Sequence, residues 1–236
     1  MFVAQKGWLL YVLFKEVIEY MTLEEAVIHN KKIKILAYSV SDNVESRMKE
    51  VLGLIFAKYK RTDMIPPVYT CVKELLVNAV KANFKTIYFE GYSSKNSSES
   101  IIDYEMALKL FKLELSRENA LYMEKLARKF DMKAEVLIHT NSDNLYIRVT
   151  NPVEMTEREK NNIKTKLLCA RQYNDIAEYF ENNDSDTESS DEGAGLGIIL
   201  ISMMLKNMGV SDRDFKISSE NSKTIAQLVI PLSCPE

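Results

Sequence analysis

KELLVNAVKAN, residues 73–83, combines the spacing of an amphipathic helix with a stripe of polar side chains. On a wheel of 100° per residue, four polar side chains fall within roughly 80° of one another: Thr70, Glu74, Asn78 and Lys81. The opposite side is apolar and is predicted to face the core: Val68, Val72, Leu75, Leu76 and Ala79. A helix from about Pro66 to Asn83 therefore presents an acid, an amide and a base to one side.

Two interpretations fit this stripe. One is a solvated face on which Glu74 and Asn78, one turn apart, share a hydrogen bond. The other is the wall of a magnesium–nucleotide site. There the amide oxygen of Asn78 would bind the cation, Glu74 would orient or deprotonate a water or hydroxyl, and Lys81 would pair with a phosphate. The stripe alone does not decide between them.

A second stretch, GAGLG at residues 193–197, comes directly before an apolar helical run. Glycine lets backbone N–H groups approach phosphate oxygens, and a helix N-terminus carries partial positive charge. The segment is not a dinucleotide-binding turn, which needs a preceding strand and a glycine at position 198, where this chain has Ile. It also lacks the Gly-Lys-Ser/Thr of a P-loop. A flexible hinge is the remaining alternative to a phosphate-binding segment.

Composition, net charge and cysteine spacing argue against a nucleic-acid-binding, disulfide-rich or zinc-binding protein. The chain has 236 residues, 46% hydrophobic and 28% charged, which is typical of a globular protein. A net charge of −3 gives no general attraction to nucleic acid. Three widely spaced cysteines (Cys71, Cys169 and Cys234) make neither a disulfide framework nor a zinc site, so we expect a cytoplasmic protein. The apolar stretch at 7–14 is too short to span a bilayer, so no transmembrane segment is expected.

The remaining pattern predicts an α/β sandwich of two layers, with helices on one face of a mostly antiparallel sheet. Strands are predicted at 33–40, 85–91, 134–140 and 144–151, with a closing hairpin around ENSK at 220–223. Helices are predicted from Ser41 to about Lys58, over 101–130, from Thr156 to about Tyr179, and over LGIILISMMLKNMG up to Gly209. We expect an N-terminal helical extension at 1–30 and one domain at 31–236.

The extension is predicted to be a helix from about Phe2 to Val27, buried or facing a partner, through which the chain could form a homodimer. An alternative is a helix lying in a membrane interface, with Trp8, Tyr11 and Phe14 at headgroup level. The charged helical stretch at 92–131 is expected to be an insertion that covers a sheet edge or docks a protein partner.

Taken together, KELLVNAVKAN and GAGLG resemble the GHKL superfamily, whose Bergerat-type ATP-binding fold is shared by gyrase, Hsp90, histidine kinases and MutL. The E-x-x-x-N-A-x-K of residues 74–81 resembles its N box, and GAGLG resembles the glycine box that ends the ATP lid. The closing FKISSENSKTIAQLVIPL, residues 215–232, is similar to the end of a histidine-kinase catalytic domain. The resemblance covers about residues 33–90 and 132–232.

This resemblance implies that the chain binds ATP with Mg²⁺. Asn78 would be the metal ligand, Glu74 the general base, and Lys81 a neighbour of the phosphates. The phosphates would lie against the glycine box, whose binding residues would be Gly193, Gly195, Leu196 and Gly197. The lid would span 154–192.

Two segments depart from the family pattern. Where the family has an adenine-reading Asp in D-x-G-x-G, this chain has VTNPVEMT at 149–156, with Asn151 followed by Pro152. An amide oxygen can still accept a hydrogen bond from the adenine amine, although an Asn-Pro turn ending a strand explains the segment equally. The lid ends in an acidic run at 181–192, while its first half carries Lys160, Lys164, Lys166 and Arg171. These cations form a solvated basic face, or one of them reaches the γ-phosphate.

The N-terminal half of the predicted domain indicates a more specific function within this superfamily. A strand, then SDNVES at 41–46, a long helix and Glu at the first N-box position resemble the anti-sigma-factor serine kinases. The resemblance implies that Glu74 activates a hydroxyl on a protein partner, such as a response regulator or sigma-factor regulator. Neither His29 nor His139 is in the setting of a phosphoacceptor, so no autokinase is expected. ATP hydrolysis, a nucleotide-gated interaction module without phosphotransfer, and an adaptor that binds no nucleotide remain as alternatives.

Overall fold

A five-stranded antiparallel sheet, with helices packed on one face, makes up most of the described chain. The computed structural model describes residues 10–11, 20–95, 117–173, 176–182 and 194–233. Its elements in chain order are β1 (Leu10–Tyr11), β2 (Tyr20–Met21), α1 (Leu23–Ile28), β3 (Ile33–Ala37), α2 (Asp42–Lys58), a 3-10 turn (Thr62–Met64), α3 (Ile65–Lys95), α4 (Arg117–Lys129), β4 (Ala134–Thr140), β5 (Asn144–Asn151), α5 (Glu157–Ala170), α6 (Ile176–Asn182), α7 (Ala194–Asn207), a second 3-10 turn (Asp212–Asp214), β6 (Phe215–Glu220) and β7 (Lys223–Pro231).

The strands of the main sheet lie in the order β3-β4-β5-β7-β6. Two tight turns set its hairpins. Between β4 and β5, the side-chain oxygen of Asn141 accepts hydrogen bonds from the N–H groups of Asp143 (3.0 Å) and Asn144 (2.7 Å). Between β6 and β7, Asn221 and Ser222 both have positive φ, as a type I′ hairpin turn requires. The predictions for 134–140, for 144–151 and for the ENSK hairpin are confirmed.

The sheet buries one face. Along β4 and β5 every second residue is buried, and these side chains share one core with α2 and α3. The five apolar residues predicted to face the core from α3 are all buried, none more than 7% exposed. The expected α/β class, with an antiparallel sheet covered by helices, is therefore confirmed.

The start of α2 and the junction between α2 and α3 lie where the sequence predicts them. Ser41 caps α2, and its hydroxyl accepts a hydrogen bond from the N–H of Val44 at 3.5 Å. The helix ends at Lys58, and the 3-10 turn leads into α3. Pro66 and Pro67 fall in the first turn of α3, where a missing N–H costs little.

The predicted strand at 85–91 is wrong, because α3 continues through it to Lys95 and is 31 residues long. Thr86, Ile87, Tyr88 and Phe89 favour strands intrinsically. However, Val80, Phe84 and Ile87 are all buried at helical spacing, so packing against the core overrides the local preference. The predicted helix end at Asn83 is wrong for the same reason. Of the expected insertion, the described parts at 92–95 and 117–129 are helical, and 96–116 lie outside the described residues.

The predicted single helix over 2–27 is also wrong where the chain is described. Leu10–Tyr11 and Tyr20–Met21 pair as antiparallel strands. Thr22 then has extended backbone angles and forms a capping box with Glu25, so that α1 can begin only at Leu23. The other residues of the predicted helix up to 19 lie outside the described chain, as does the expected homodimer contact.

The lid region is described in two pieces. Thr156 caps α5 through a capping box with Glu159. The helix ends at Ala170, so a continuous helix to Tyr179 is wrong, and α6 begins separately at Ile176. The apolar helix α7 starts at Ala194, two residues earlier than predicted, and closes at Gly209 with a positive φ of 71°. Residues 183–193, including Gly193, lie outside the described chain.

A charged contact holds α2 against α3. Lys73 Nζ lies 2.7 Å from Glu45 Oε1, and the Tyr69 hydroxyl donates to the other oxygen of Glu45. The hydrogen bonds from Lys73 and Tyr69 hold the pKa of Glu45 below its ordinary value. Burial, together with the bond to Glu45, raises the pKa of Tyr69 to about 12. The contact therefore orients the helix that carries the polar stripe.

Replacing Glu45 with Gln is expected to lower the free energy of unfolding at pH 7 by about 1–2 kcal/mol, since a charge-assisted contact is lost. Because the folded-state pKa of Glu45 is depressed, its contribution is complete above the unfolded pKa of about 4.3 and is lost as the pH falls through the folded value. Urea unfolding of both proteins from pH 7 to pH 3 measures this convergence. Glu50→Gln, on the same helix but half exposed, is the control and should change stability by under about 0.5 kcal/mol.

Candidate functional site

The polar stripe of α3 meets the glycine segment at Gly197. A Cβ built on Gly197 would lie 2.9 Å from Glu74 Oε2 and 3.7 Å from Asn78 Nδ2. A Cβ at 2.9 Å forces a neighbour to move, so only glycine leaves the Glu74 carboxylate where it is. Two segments more than a hundred residues apart therefore place an acid, an amide and a glycine in contact.

Gly197 belongs to the first turn of α7 rather than to a loop before it. The first N–H groups of a helix have no intrahelical acceptor, and those of α7 include residues 194–196. The buried side chains of Ile198, Ile199 and Ile201 anchor the helix behind this turn. The Glu74 carboxylate lies against the positive end of the helix dipole, an arrangement that stabilises either a carboxylate or another anion.

The other predicted glycine-box residues are placed only in part. Gly195 lies within the first turn of α7. Leu196 is 41% exposed, which is unusual for a leucine beside three buried isoleucines. Its side chain is thus accessible to solvent in the first turn of α7.

Beneath Glu74, Cys71 is fully buried. Burial, together with the nearby Glu74 carboxylate, raises the pKa of the Cys71 thiol to about 12. The thiol is therefore protonated at neutral pH and is not a nucleophile. Glu74, which is half-buried beside it, is the side chain of this pair that can accept a proton.

Asn151 ends β5, the strand on which α3 packs. Only 3% of it is exposed, and its side-chain Nδ2 has no hydrogen-bond partner among the described residues. A buried donor without a partner costs about 1–3 kcal/mol. The neighbouring strand β7 holds the backbone around Asn151. Thr224 of β7 lies opposite Asn151, and the Thr224 hydroxyl donates to the carbonyl of Val153 at 2.7 Å. Asn151 is therefore a rigidly placed amide with unused hydrogen-bonding capacity.

Lys81 lies one turn beyond Asn78 and is exposed. Within the described ranges it makes no ion pair. Its ammonium can reach an anion bound near the stripe. The structure thus brings Glu74, Asn78 and Gly197 into contact, with Lys81 one turn away and without an ion-pair partner among the described residues.

The basic residues of the lid lie elsewhere. Lys160, Lys164 and Arg171 line a groove between α5 and β6, and none of the predicted site residues is among the ten that form its described wall. Lys160 lies 2.8 Å from Glu157, and Arg171 lies 2.8 Å from Asp212. The expectation that one of them reaches a γ-phosphate therefore has no support from this arrangement.

An ion pair that the sequence analysis missed ties α5 to α3. Lys85 Nζ lies 2.9 Å from Glu159 Oε1, while Glu159 Oε2 accepts from the N–H of Thr156 at 2.8 Å. Burial alone would raise the pKa of Glu159, but the bonds from Lys85 and Thr156 outweigh it and lower the pKa. The Thr156–Glu159 capping-box spacing is visible in the sequence. The pairing of Glu159 with Lys85 could not be predicted, because residues 85–91 were expected to form a strand.

No group of three or more His, Cys, Asp or Glu side chains in the described ranges could hold a metal ion by itself. Mg²⁺ is commonly bound through one or two protein ligands together with substrate phosphates and waters. The side-chain oxygen of Asn78 is a ligand of the kind that Mg²⁺ takes in such sites, and the Asn78 Nδ2 lies toward Gly197 in the first turn of α7. None of the helices in the described ranges combines the length and the apolar content that a membrane span requires.

Comparison with known proteins identifies one relative without a described activity. A protein of Treponema pallidum (strain Nichols), named as an uncharacterized protein, is 27% identical over 215 residues. The match covers 91% of this chain and 40% of the relative, so the chain spans less than half of that protein's length. No protein-family profile and no solved structure matches the chain. The geometry of the site is therefore the basis for a functional proposal.

Proposed function

We propose that the chain binds ATP with Mg²⁺ and acts as a cytoplasmic kinase-like regulator of the GHKL type, transferring phosphate to a hydroxyl of a protein partner. The observation that carries this proposal is the contact of Glu74 and Asn78 with Gly197 in the first turn of α7. An acid, an amide and a set of free helix N–H groups are the components that a magnesium–phosphate site needs. The unpartnered amide of Asn151 supports it independently.

The chain's own residues divide the binding of ATP among them. The N–H groups of residues 194–196 and the ammonium of Lys81 would hold phosphate oxygens. Asn78 Oδ1 would ligate Mg²⁺, which would neutralise phosphate charge when bound. Asn151 would bind the adenine edge. Rotation of its amide about χ2 exchanges Nδ2 and Oδ1, so the orphaned position can also present an oxygen to the adenine amine.

Glu74 would serve as the general base. Its carboxylate faces the helix turn that would hold the phosphates. A hydroxyl of the partner, entering between this turn and the stripe, would transfer its proton to Glu74 as its oxygen attacks the terminal phosphate, and ADP would leave as its bond to that phosphate breaks. Glycine at position 197 leaves room for the carboxylate at this place.

Asn151 offers the sharpest test that the site is used. Leucine has nearly the shape of asparagine but needs no hydrogen bond. Asn151→Leu is therefore expected to leave the unfolding free energy of the ligand-free protein unchanged or raise it by about 1 kcal/mol. It should weaken binding of ATP with Mg²⁺ by about tenfold or more. Thermal unfolding and calorimetric titration of both proteins measure the two effects. A destabilised variant with unchanged ATP affinity would mean that the amide is structural, and no binding of millimolar ATP to the wild type would refute the proposal.

Gly197→Ala should separate the site from the fold. The new methyl group would meet the Glu74 carboxylate, which can swing away at little cost because it ends a flexible side chain. We expect stability to change by under about 1 kcal/mol, while phosphate turnover falls at least about tenfold because the base is displaced. Gly53→Ala is the matched control: it lies within α2 with nothing within 4 Å. It should stabilise by about 0.5–1 kcal/mol and leave turnover unchanged.

A second candidate function is a nucleotide-gated interaction module without phosphotransfer. The observation that favours it is the Lys85–Glu159 ion pair, which connects the stripe-bearing α3 directly to the lid helix α5. A nucleotide that bound one arrangement of α5 better than another would change the surface that α5 presents. The two functions differ in one measurement, since only the kinase produces ADP and a phosphorylated partner.

A further inference from the structure

A groove of about 450 Å³ lies between α5 and β6, away from the contact of Glu74 with Gly197. Its wall is largely apolar: Met155, Ile163, Leu167, Leu168 and Ile217. Leu168 is 50% exposed, although neighbouring positions of the same helix pack inward. This volume is in the range of sites that hold ligands or peptide side chains.

One side of the groove is an open strand edge. β6 is the last strand of the main sheet and pairs only with β7 in the described chain. In an antiparallel strand every second residue directs its N–H and C=O away from its single neighbour. β6 therefore offers unpaired backbone groups beside the apolar wall, which is the arrangement that captures an added strand.

The other side of the groove is cationic. The ten lining residues include Lys160, Lys164 and Arg171 and no carboxylate, on a chain whose net charge is −3. Lys160 and Arg171 are partly neutralised by acids outside the groove. Lys164 is exposed and has no ion-pair partner within the described ranges. The groove is thus complementary in charge to a negatively charged occupant. Lys164 is the lining cation with which such an occupant would pair.

We propose that this groove is a docking site for an extended acidic segment of a partner protein, which adds to β6 as a sixth strand. Alternate side chains of the segment would enter the apolar wall, as the period of two in a strand requires. Its carboxylates would pair with Lys164 on α5. The proposal concerns a surface separate from the nucleotide site and does not depend on ATP binding.

The test uses a fluorescein-labelled eight-residue peptide of alternating Glu and Val, titrated with the full chain and followed by fluorescence anisotropy. We expect saturable binding that weakens as salt is added, because the pairing is electrostatic. The same peptide with Lys in place of Glu, and a version N-methylated at alternate amides, should bind at least about fivefold more weakly. Equal binding of all three peptides would overturn the proposal.

Charge reversals on one helix give the matched comparison. Lys164→Glu should weaken the acidic peptide about tenfold, since one attraction becomes a repulsion. Lys166→Glu lies on the same helix and is not among the groove's lining residues, so it should change affinity less than twofold. Equal effects of the two substitutions would attribute binding to general charge and refute the docking site.

Two other occupants give distinct results that would each overturn the proposal. The chain's own acidic run would be the occupant if the peptide binds only after the acids in 184–192 are changed to amides. A second copy of the chain would be the occupant if light scattering shows a dimer that Lys164→Glu dissociates. Peptide binding to the unaltered monomer, with the expected response to Lys164→Glu, supports the proposed partner.

Discussion

Asn78→Ala is expected to abolish saturable binding of ATP with Mg²⁺, with an affinity loss of at least about 100-fold in calorimetric titration. The amide lies beside Gly197 in the first turn of α7, and in the proposed site its oxygen would ligate the cation. Removing a metal ligand next to a triphosphate leaves phosphate charge that the helix turn and Lys81 do not neutralise. Because Asn78 is half-buried at the α3 surface, alanine should not unfold the protein.

The control for Asn78→Ala is Thr70→Ala on the same stripe. The Thr70 hydroxyl donates to the carbonyl of Pro66 at 3.0 Å, within its own helix. Its removal should leave the ATP affinity within about twofold. A titration in EDTA adds a second comparison: wild-type affinity should fall without Mg²⁺, and the variant should show little further change. Undiminished binding by Asn78→Ala would exclude the amide as a ligand and refute this arrangement of the site.

How far the fold could be predicted depends on which contacts decide each element. β4 and β5 were predicted residue for residue because alternating burial and the Asn141 turn are written in neighbouring residues. Residues 85–91 could not be, since Ile87, Tyr88 and Phe89 prefer a strand in isolation. Only the burial of Phe84 and Ile87 against a distant core makes the segment helical.

The candidate site shows the same limit. The acid–amide spacing of Glu74 and Asn78 is local and could be read from the helical period. Their contact with Gly197 joins distant segments, and only a family resemblance could suggest it. The Lys85–Glu159 pair could not be predicted, because Lys85 lies in a segment that prefers a strand in isolation and is far from Glu159 in the sequence. The orphaned amide of Asn151 likewise appears only when burial is known.

Glu74→Gln is expected to abolish phosphate turnover while ATP still binds. Glutamine keeps the shape of the side chain against Gly197 but cannot accept a proton at neutral pH. The loss of a general base should lower the rate of ADP production by about 10²- to 10⁴-fold. The affinity for ATP should rise a few-fold, because a negative charge next to the phosphate-binding turn of α7 is removed. Radiolabelled phosphate transfer and calorimetric titration on one protein preparation measure both quantities.

The combination of lost turnover and tighter binding distinguishes a base from a residue that merely supports the fold. A structural role predicts that Glu74→Gln weakens ATP binding together with turnover, and Glu74→Ala should then behave in the same way. A base predicts that both variants bind ATP and neither turns it over. A wild-type protein that binds ATP without producing ADP, in the presence of a partner that carries free hydroxyl groups, would favour the gating function. In that case ATP and ADP should give different affinities for the partner, because they would change the arrangement of α5. Lys85→Met, which breaks the ion pair with Glu159, should make the partner affinity independent of the bound nucleotide.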